Sequence, residues 1–147
     1  MPTIRFLLDK KGHDVWSIPP DATVYDALRL LDERDIGALL VIRGDDLVGI
    51  LSERDYARKV ALKGKTSMKT PVSEIMTDQV VVVEPERTIE QAMAIMTERR
   101  LRHLPVVEDQ TVIGLVSIGD LVKEIIADKE FIIDQLESYI AGERSGM

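Results

Sequence analysis

A chain of 147 residues with a formal net charge of −7 and no cysteine suits one compact domain or two small fused halves. The acid excess argues against broad nucleic-acid binding, which draws its affinity from cations on phosphates. The absence of cysteine excludes disulfides and thiolate zinc sites and fits a reducing cytoplasm. The start, Met1 to Lys11, lacks the apolar run of a signal peptide, and no window approaches the roughly 20 apolar residues of a membrane helix. A soluble cytoplasmic protein with neither a nucleic-acid nor a membrane partner is expected.

In chain order, residues 3–12 read as a short helix ended by Gly12, with Ile4, Leu7 and Leu8 available for packing. Val15–Ile18 reads as a strand stopped by Pro19-Pro20. Thr23 opens a helix as N-cap with Asp26 as capping-box partner, and Val24, Ala27, Leu28 and Leu31 form its apolar face. Two apolar runs, Ala38–Arg43 and Leu47–Leu51, flank Gly44-Asp-Asp46 as a buried hairpin, and a helix from Glu53 to Lys63 follows. Residues 64–71 are basic and broken by glycine and proline, a linker by composition; Val72–Met76 then makes one helical turn.

From there the order repeats. A strand Val80–Val83, a cap Thr88 with Gln91, a helix carrying Ile89, Ala92, Met93 and Met96, and strands near Leu104–Glu108 and Val112–Val116 echo the first half. Laying residues 13–60 over 78–125 needs no gap, and eleven positions are identical, among them Val15/Val80, Pro20/Pro85, Gly49/Gly114, Ser52/Ser117 and Asp55/Asp120. An internal duplication in one unbroken register defines the architecture: an α+β fold of two β-α-β-β-α units. Its divisions are an N-terminal helix (1–12), repeat 1 (13–63), linker and lead-in (64–77), repeat 2 (78–126), and a C-terminal helix extension and tail (127–147). That last helix runs from Ile118 to about Ala141, with Gly142 onward a frayed tail. Its stripe of Val122, Ile125, Ile126, Ile132, Ile133, Leu136, Tyr139 and Ile140 reads either as cover for the parent sheet or as the face that meets a second subunit.

The duplicated stretch Gly49–Asp55, written again as Gly114–Asp120, carries the candidate chemistry. A serine followed by an acid three positions on is a capping-box pattern, and capping alone explains it. A strand feeding a helix N-terminus also favours an anionic group; there a hydroxyl donates to phosphate and a carboxylate accepts from vicinal sugar hydroxyls. A glycine upstream lets a ligand approach the backbone. The cluster Arg99–His103 adds cations: Arg99 and Arg100 read as a solvated helix end, Arg102 and His103 as ligand candidates. Arg54 is a further phosphate contact, and Arg58 either reaches inward or solvates its helix. No cysteine nucleophile, metal-spaced histidine pair or glycine-rich phosphate loop is present, so no enzyme is expected. His13 falls in an exposed turn, and Met76, Met93 and Met96 read as core filling.

With the duplication, Pro-x-x-Thr, Arg-His-Leu-Pro-Val and two Gly-h-h-Ser-x-x-Asp motifs (h apolar), residues 13–125 resemble a tandem CBS-domain pair, the Bateman module, of the stand-alone bacterial type. The resemblance implies two repeats packed through their sheets about a pseudo-two-fold axis, leaving two clefts for adenosine-containing ligands. These are AMP, ADP, ATP or NAD, with S-adenosylmethionine less favoured, and no tightly held cofactor. It places ribose hydroxyls on Asp55 and Asp120, and ribose or phosphate on Ser52 and Ser117. The base lies near Val15, Trp16 and Ile18 in one half and Val80 and Val82 in the other. The candidate ligand set is completed by Gly49, Gly114, Arg54, Arg102, His103 and Pro105. It implies further a homodimer or higher homo-oligomer that signals to a regulated protein. Because Arg54 is matched by Gly119, Arg102-His103 by Gly37-Ala38 and Pro105 by Leu40, the clefts are expected to differ, with the Ser52–Arg54–Asp55 cleft the stronger anion site, closed by Arg102 and His103. The alternative is a structural oligomerisation module in which the Ser-x-x-Asp pairs only cap helices.

Overall fold

The structure, a computed structural model, describes residues 2–145, with side chains up to Ala141. Its elements run α1 (Ile4–Lys11), β1 (Ser17–Ile18), α2 (Val24–Arg34), β2 (Ala38–Arg43), β3 (Asp46–Ser52), α3 (Glu53–Tyr56), α4 (Ile89–Arg99), β4 (His103–Glu108), β5 (Thr111–Ser117) and α5 (Ile118–Ser145). α3 widens directly into a π-helical turn over Ala57–Ala61, and a 3-10 turn covers Val72–Glu74. The fold is therefore the expected α+β duplication, with a long helix at its C-terminal end. That helix stays regular to Ser145, so Gly142 begins no tail; residues 146 and 147 lie outside the described part.

Each half repeats the same local solutions. Thr23 and Thr88 both accept from the backbone N–H three residues on, capping α2 and α4. Only Thr88 completes the reciprocal box, because the Gln91 side chain reaches back to the Thr88 N–H (3.0 Å). Both helices end on a left-handed residue, Asp35 (φ 52°) and Arg100 (φ 56°). Each hairpin slips register at one place, after Val41 opposite Gly49 and after Val106 opposite Gly114. Such bulges twist a hairpin and aim its neighbours.

The halves differ where a strand was expected before α4. In repeat 1, β1 pairs parallel with β2, and the Leu40 N–H donates to the Trp16 carbonyl (3.1 Å). The residue matching Leu40 is Pro105, which has no N–H to give. Val80–Val83 accordingly forms no strand: only Val83 bridges to Val106, and Val82 is left 42% exposed.

Buried side chains form two separate cores, and each holds a segment from the opposite half. Ile4, Leu7 and Leu8 of α1 pack with Val83, Ile89, Met96, Leu104 and Leu121 of repeat 2. Val72 and Ile75, ahead of repeat 2, pack with Ile18, Val24, Leu39 and Leu51 of repeat 1. Backbone bonds match this exchange. The Ile4 and Arg5 N–H groups donate to the Arg87 and Pro85 carbonyls, as the Val72 and Ser73 N–H groups donate to those of Ala22 and Pro20. The basic segment 64–71 is tied down by the same logic, with the Val24 and Tyr25 N–H groups donating to the Thr70 and Ser67 carbonyls. Leu40 points to the face of β2 opposite Leu39 and Val41, yet it too is fully buried, so both faces of that sheet are covered.

Gly49 and Gly114 make room for these exchanged segments. A Cβ at Gly49 would meet Met76 Sδ at 2.5 Å, and one at Gly114 would meet the Leu8 side chain at 2.6 Å. The two glycines thus face packed side chains and offer no approach to a ligand. Past α1 the lead-in follows β5: Lys11 Nζ donates to the Leu115 carbonyl (2.7 Å) and the His13 Nδ1–H to the bulged Ile113 carbonyl (2.9 Å). His13 is exposed, as expected, but it is anchored. On the other side, Ile50 and Thr77 exchange two 2.9 Å backbone bonds.

Candidate functional site

Two clefts open where the halves meet. The larger, about 980 Å³, is lined by Ser52, Arg54, Asp55, Thr77, Arg102 and His103, among others. The smaller, about 360 Å³, is lined by Val15, Trp16, Gly37, His103, Ser117 and Asp120, among others. Shifting the chain by 65 residues maps one onto the other: Ser52 on Ser117, Asp55 on Asp120, Ile50 on Leu115, Arg100 on Asp35 and Arg102 on Gly37. They are the same hollow built twice.

In the larger cleft the capping box is complete. The Ser52 N–H (2.9 Å) and hydroxyl (3.1 Å) donate to Asp55 Oδ2, and the Asp55 N–H donates back to Ser52 Oγ. Lys59 Nζ lies 3.2 Å from the other carboxylate oxygen and also donates to the Ile75 carbonyl. A carboxylate offers about four lone-pair positions; three are engaged here, so one remains to accept from outside. The carboxylate caps its own helix and lines the cleft at the same time. Capping and binding are not alternatives at this position.

In the smaller cleft the Ser117 N–H donates to Asp120 Oδ2 (2.8 Å), the Asp120 N–H to Ser117 Oγ (3.1 Å), and Lys11 Nζ donates to the same carboxylate. Burial pushes the Asp120 carboxyl up, but Lys11 and the Ser117 N–H together hold it below its ordinary value. The position matching Lys59 is Glu124, which is nearly buried and pairs with Lys10 at 3.0 Å. Trp16 presents its ring beneath the Arg34 guanidinium, 3.9 Å from the centroid, a cation–π stack.

His103 and Gly37 line both hollows. A Cβ on Gly37 would stand in ordinary contact with the His103 ring, 3.5 Å from Nε2, so the ring borders that position without filling it. Burial, and the nearby Lys11 and Arg102 cations, push the His103 imidazole below its ordinary value against the opposing pull of Asp120.

The structure brings Ser52, Arg54, Asp55, Arg102 and His103 together in one cleft, and Val15, Trp16, Ser117 and Asp120 in the other. Six candidates fall elsewhere. Ile18 is in the repeat 1 core, Pro105 is buried in the hairpin with its carbonyl accepting from Val83, and Gly49 and Gly114 face lead-in side chains. Val82 leaves the cleft with the missing strand, and Val80 is likewise not among the residues lining the larger hollow. Conversely, Arg100 is more than a solvated helix end: it lines the larger cleft, together with Arg58 and Lys59. The signal that could have found it is its 65-residue partner Asp35, which shares its left-handed backbone. Among the described residues, no group of three or more His, Cys, Asp or Glu could hold a metal ion.

A duplicated α+β module with exchanged lead-in segments and two clefts between its halves defines a class of tandem regulatory repeats. The chain belongs to the CBS-domain family, whose model matches residues 11–62 and 72–127. It is 40% identical over 150 residues to the Arabidopsis thaliana protein CBSX3, described as mitochondrial, covering 95% of this chain and 72% of that one. A proposed signal-transduction protein with CBS domains from Burkholderia ambifaria MC40-6 is 50% identical, with a TM-score of 0.83 over 86% of this chain and 95% of its own. A hexameric CBS-CP12 protein from bloom-forming cyanobacteria is 31% identical, with a TM-score of 0.75 over 82% of this chain and 66% of its own.

Proposed function

We propose that the protein is a regulatory module that binds an adenosine nucleotide in the larger cleft and passes occupancy to a partner protein through its assembly. One observation carries the reading. A carboxylate with spare acceptor capacity, Asp55, shares a cleft with Arg54, Arg58, Lys59, Arg100 and Arg102. The first suits vicinal ribose hydroxyls, and the guanidinium forks suit phosphate oxygens. AMP, ADP, ATP and NAD combine both demands. The role is binding, not catalysis, and the cysteine-free composition keeps cytoplasmic residence part of this reading beside a relative described as mitochondrial. Among the described residues no helix is long and apolar enough to cross a membrane.

Ligand at 100 times its dissociation constant adds about 2.7 kcal/mol to stability, a melting shift of roughly 5–10 °C for a chain of this size. A thermal-shift panel of AMP, ADP, ATP and NAD is expected to show such a shift for at least one, absent in Asp55→Ala. A flat panel would leave a second reading, an assembly module. That reading draws on α5, where Ile126, Phe131, Ile132, Ile133, Leu136, Tyr139 and Ile140 stand 48–70% exposed. Light scattering on a chain cut after Lys129 tests it: a fall in molecular mass supports assembly through α5, and an unchanged mass removes the case.

A further inference from the structure

Two stretches fall outside the residues the family model matches, and they carry opposite charge. Between the matched spans, which end at 62 and resume at 72, stand Lys63, Lys65 and Lys69. Past the last matched residue, 127, stand Asp128, Glu130, Asp134 and Glu137. With Arg58 and Lys59 ahead of it, the first stretch makes residues 58–69 wholly cationic, without one acid, in a chain of net charge −7. The 65-residue offset sets Lys63 on Asp128, Lys65 on Glu130 and Lys69 on Asp134. Lys65 pairs with Glu74 at 3.4 Å. No ion pair among the described residues uses Lys63, Lys69, Asp128, Glu130, Asp134 or Glu137. Both stretches also expose apolar side chains. Leu62 (79%) and Met68 (64%) flank the lysines, and the stripe from Phe131 to Ile140 runs beside the acids. From Lys129 to Ile140 every side chain is exposed, so this half of α5 stands off its own module.

We infer that these surfaces meet between two copies of the chain: the acidic half of α5 in one lies on the basic segment of the other. A two-fold axis makes each such contact twice, residue i on j and j on i, and so closes a head-to-tail dimer. Charge selects this arrangement over the alternatives. α5 laid on its own copy would set four acids against four, with Lys129 alone to offset them, and the basic segment on its copy would set lysine against lysine. Like charges across an interface penalise a pairing, and opposite ones fix its register. The duplication supplies the geometry. Val60 and its sister Ile125 pack on the repeat 1 and repeat 2 cores, so both stretches leave their halves at matching points. Beyond them the backbones part. Residues 64–71 fold back, with the Tyr25 and Val24 N–H groups donating to the Ser67 and Thr70 carbonyls, while α5 continues to Ser145. A helix from Asp128 to Ala141 is about 20 Å long, enough to span the folded-back segment. That segment begins in the π-helical turn whose Arg58 and Lys59 line the larger cleft, so the second copy's helix reaches the outside of the cleft wall. The contact needs no ligand and stands apart from the nucleotide reading.

Charge reversal tests it on the full chain. One variant carries Lys63→Glu with Lys69→Glu, a second carries Asp134→Lys with Glu137→Lys, and a third carries all four. These positions are exposed and line neither cleft, so far-UV circular dichroism and any nucleotide-induced melting shift should match the intact protein. Sedimentation velocity over a dilution series reads the dimer. The first two variants should each dissociate at least about tenfold more readily, as two reversed charges made twice predict. The third should recover, and so should a mixture of the first two, because each then offers what the other lacks. A monomeric intact protein would overturn the inference. So would a first variant as tightly dimeric as the intact protein, which would mean that α5 meets something other than the basic segment, or a third variant no tighter than the first two.

Discussion

The two halves share a backbone plan, yet one cleft collects arginines and the other aspartates. The difference resides in a few side chains laid on a common frame: the same serine–aspartate box and the same left-handed helix end, with Arg100 in one and Asp35 in the other. The box itself therefore tells little about what binds. The copies have diverged in the charged residues around it.

The largest effect expected from breaking the comparison lies in the exchanged segments. Leu8 is fully buried in the core of the half it does not precede. Leu8→Ala should cost about 2–5 kcal/mol, as truncations in a packed core do, measured by urea denaturation. A loss below about 1 kcal/mol would mean that α1 is not part of the repeat 2 core. Next comes Gly114→Val, whose Cβ would fall 2.6 Å from Leu8; overpacking of this kind costs about 1–3 kcal/mol. Its sister Gly49→Val should cost at least as much, because a backbone carbonyl, that of Thr77 (3.1 Å), stands behind Met76 there.

A smaller difference separates the caps. Thr88→Ala removes a reciprocal box and should cost about 1 kcal/mol, whereas Thr23→Ala removes a single bond and should cost less. Equal losses would show that the Gln91 arm contributes nothing. Smallest is the pH dependence from His103. Burial and the cations beside it depress its imidazole in the folded protein, so the unfolded chain takes the proton first. Stability should fall as pH drops below the ordinary value of 6.5, by at most about 1.4 kcal/mol per unit, and level off below the folded-state value. The His13 imidazole, raised by the Ile113 carbonyl and Asp9, contributes with the opposite sign as pH rises, but at a fully exposed position. His103→Gln should flatten the acid slope; an unchanged slope would place its origin elsewhere.

Most of the fold was legible because the duplication and helix caps are local signals: Thr23, Thr88 and both hairpins stand where their residues predict. The missing strand at Val80–Val83 was not, since the decisive fact is a proline on a different strand, Pro105, whose absent N–H matters only once the two lie side by side. Gly49 and Gly114 misled for a related reason. A glycine signals close approach, but the sequence does not say whether a ligand or a side chain arrives, and here Met76 and Leu8 do. Of the candidate site, the serine–aspartate pairs, Arg54, Arg102 and His103 were legible as a cluster. Arg100, Lys59, Asp14 and Asp35 emerge as cleft-lining residues only when the halves are set against each other.

The most direct measurement is a crystal structure grown with ATP. The account predicts ribose hydroxyls on Asp55 and the phosphate chain among Arg54, Arg100 and Arg102. A nucleotide bound away from Asp55, or one whose phosphates lie beside Asp35 and Asp120 while the larger cleft stays empty, would contradict it.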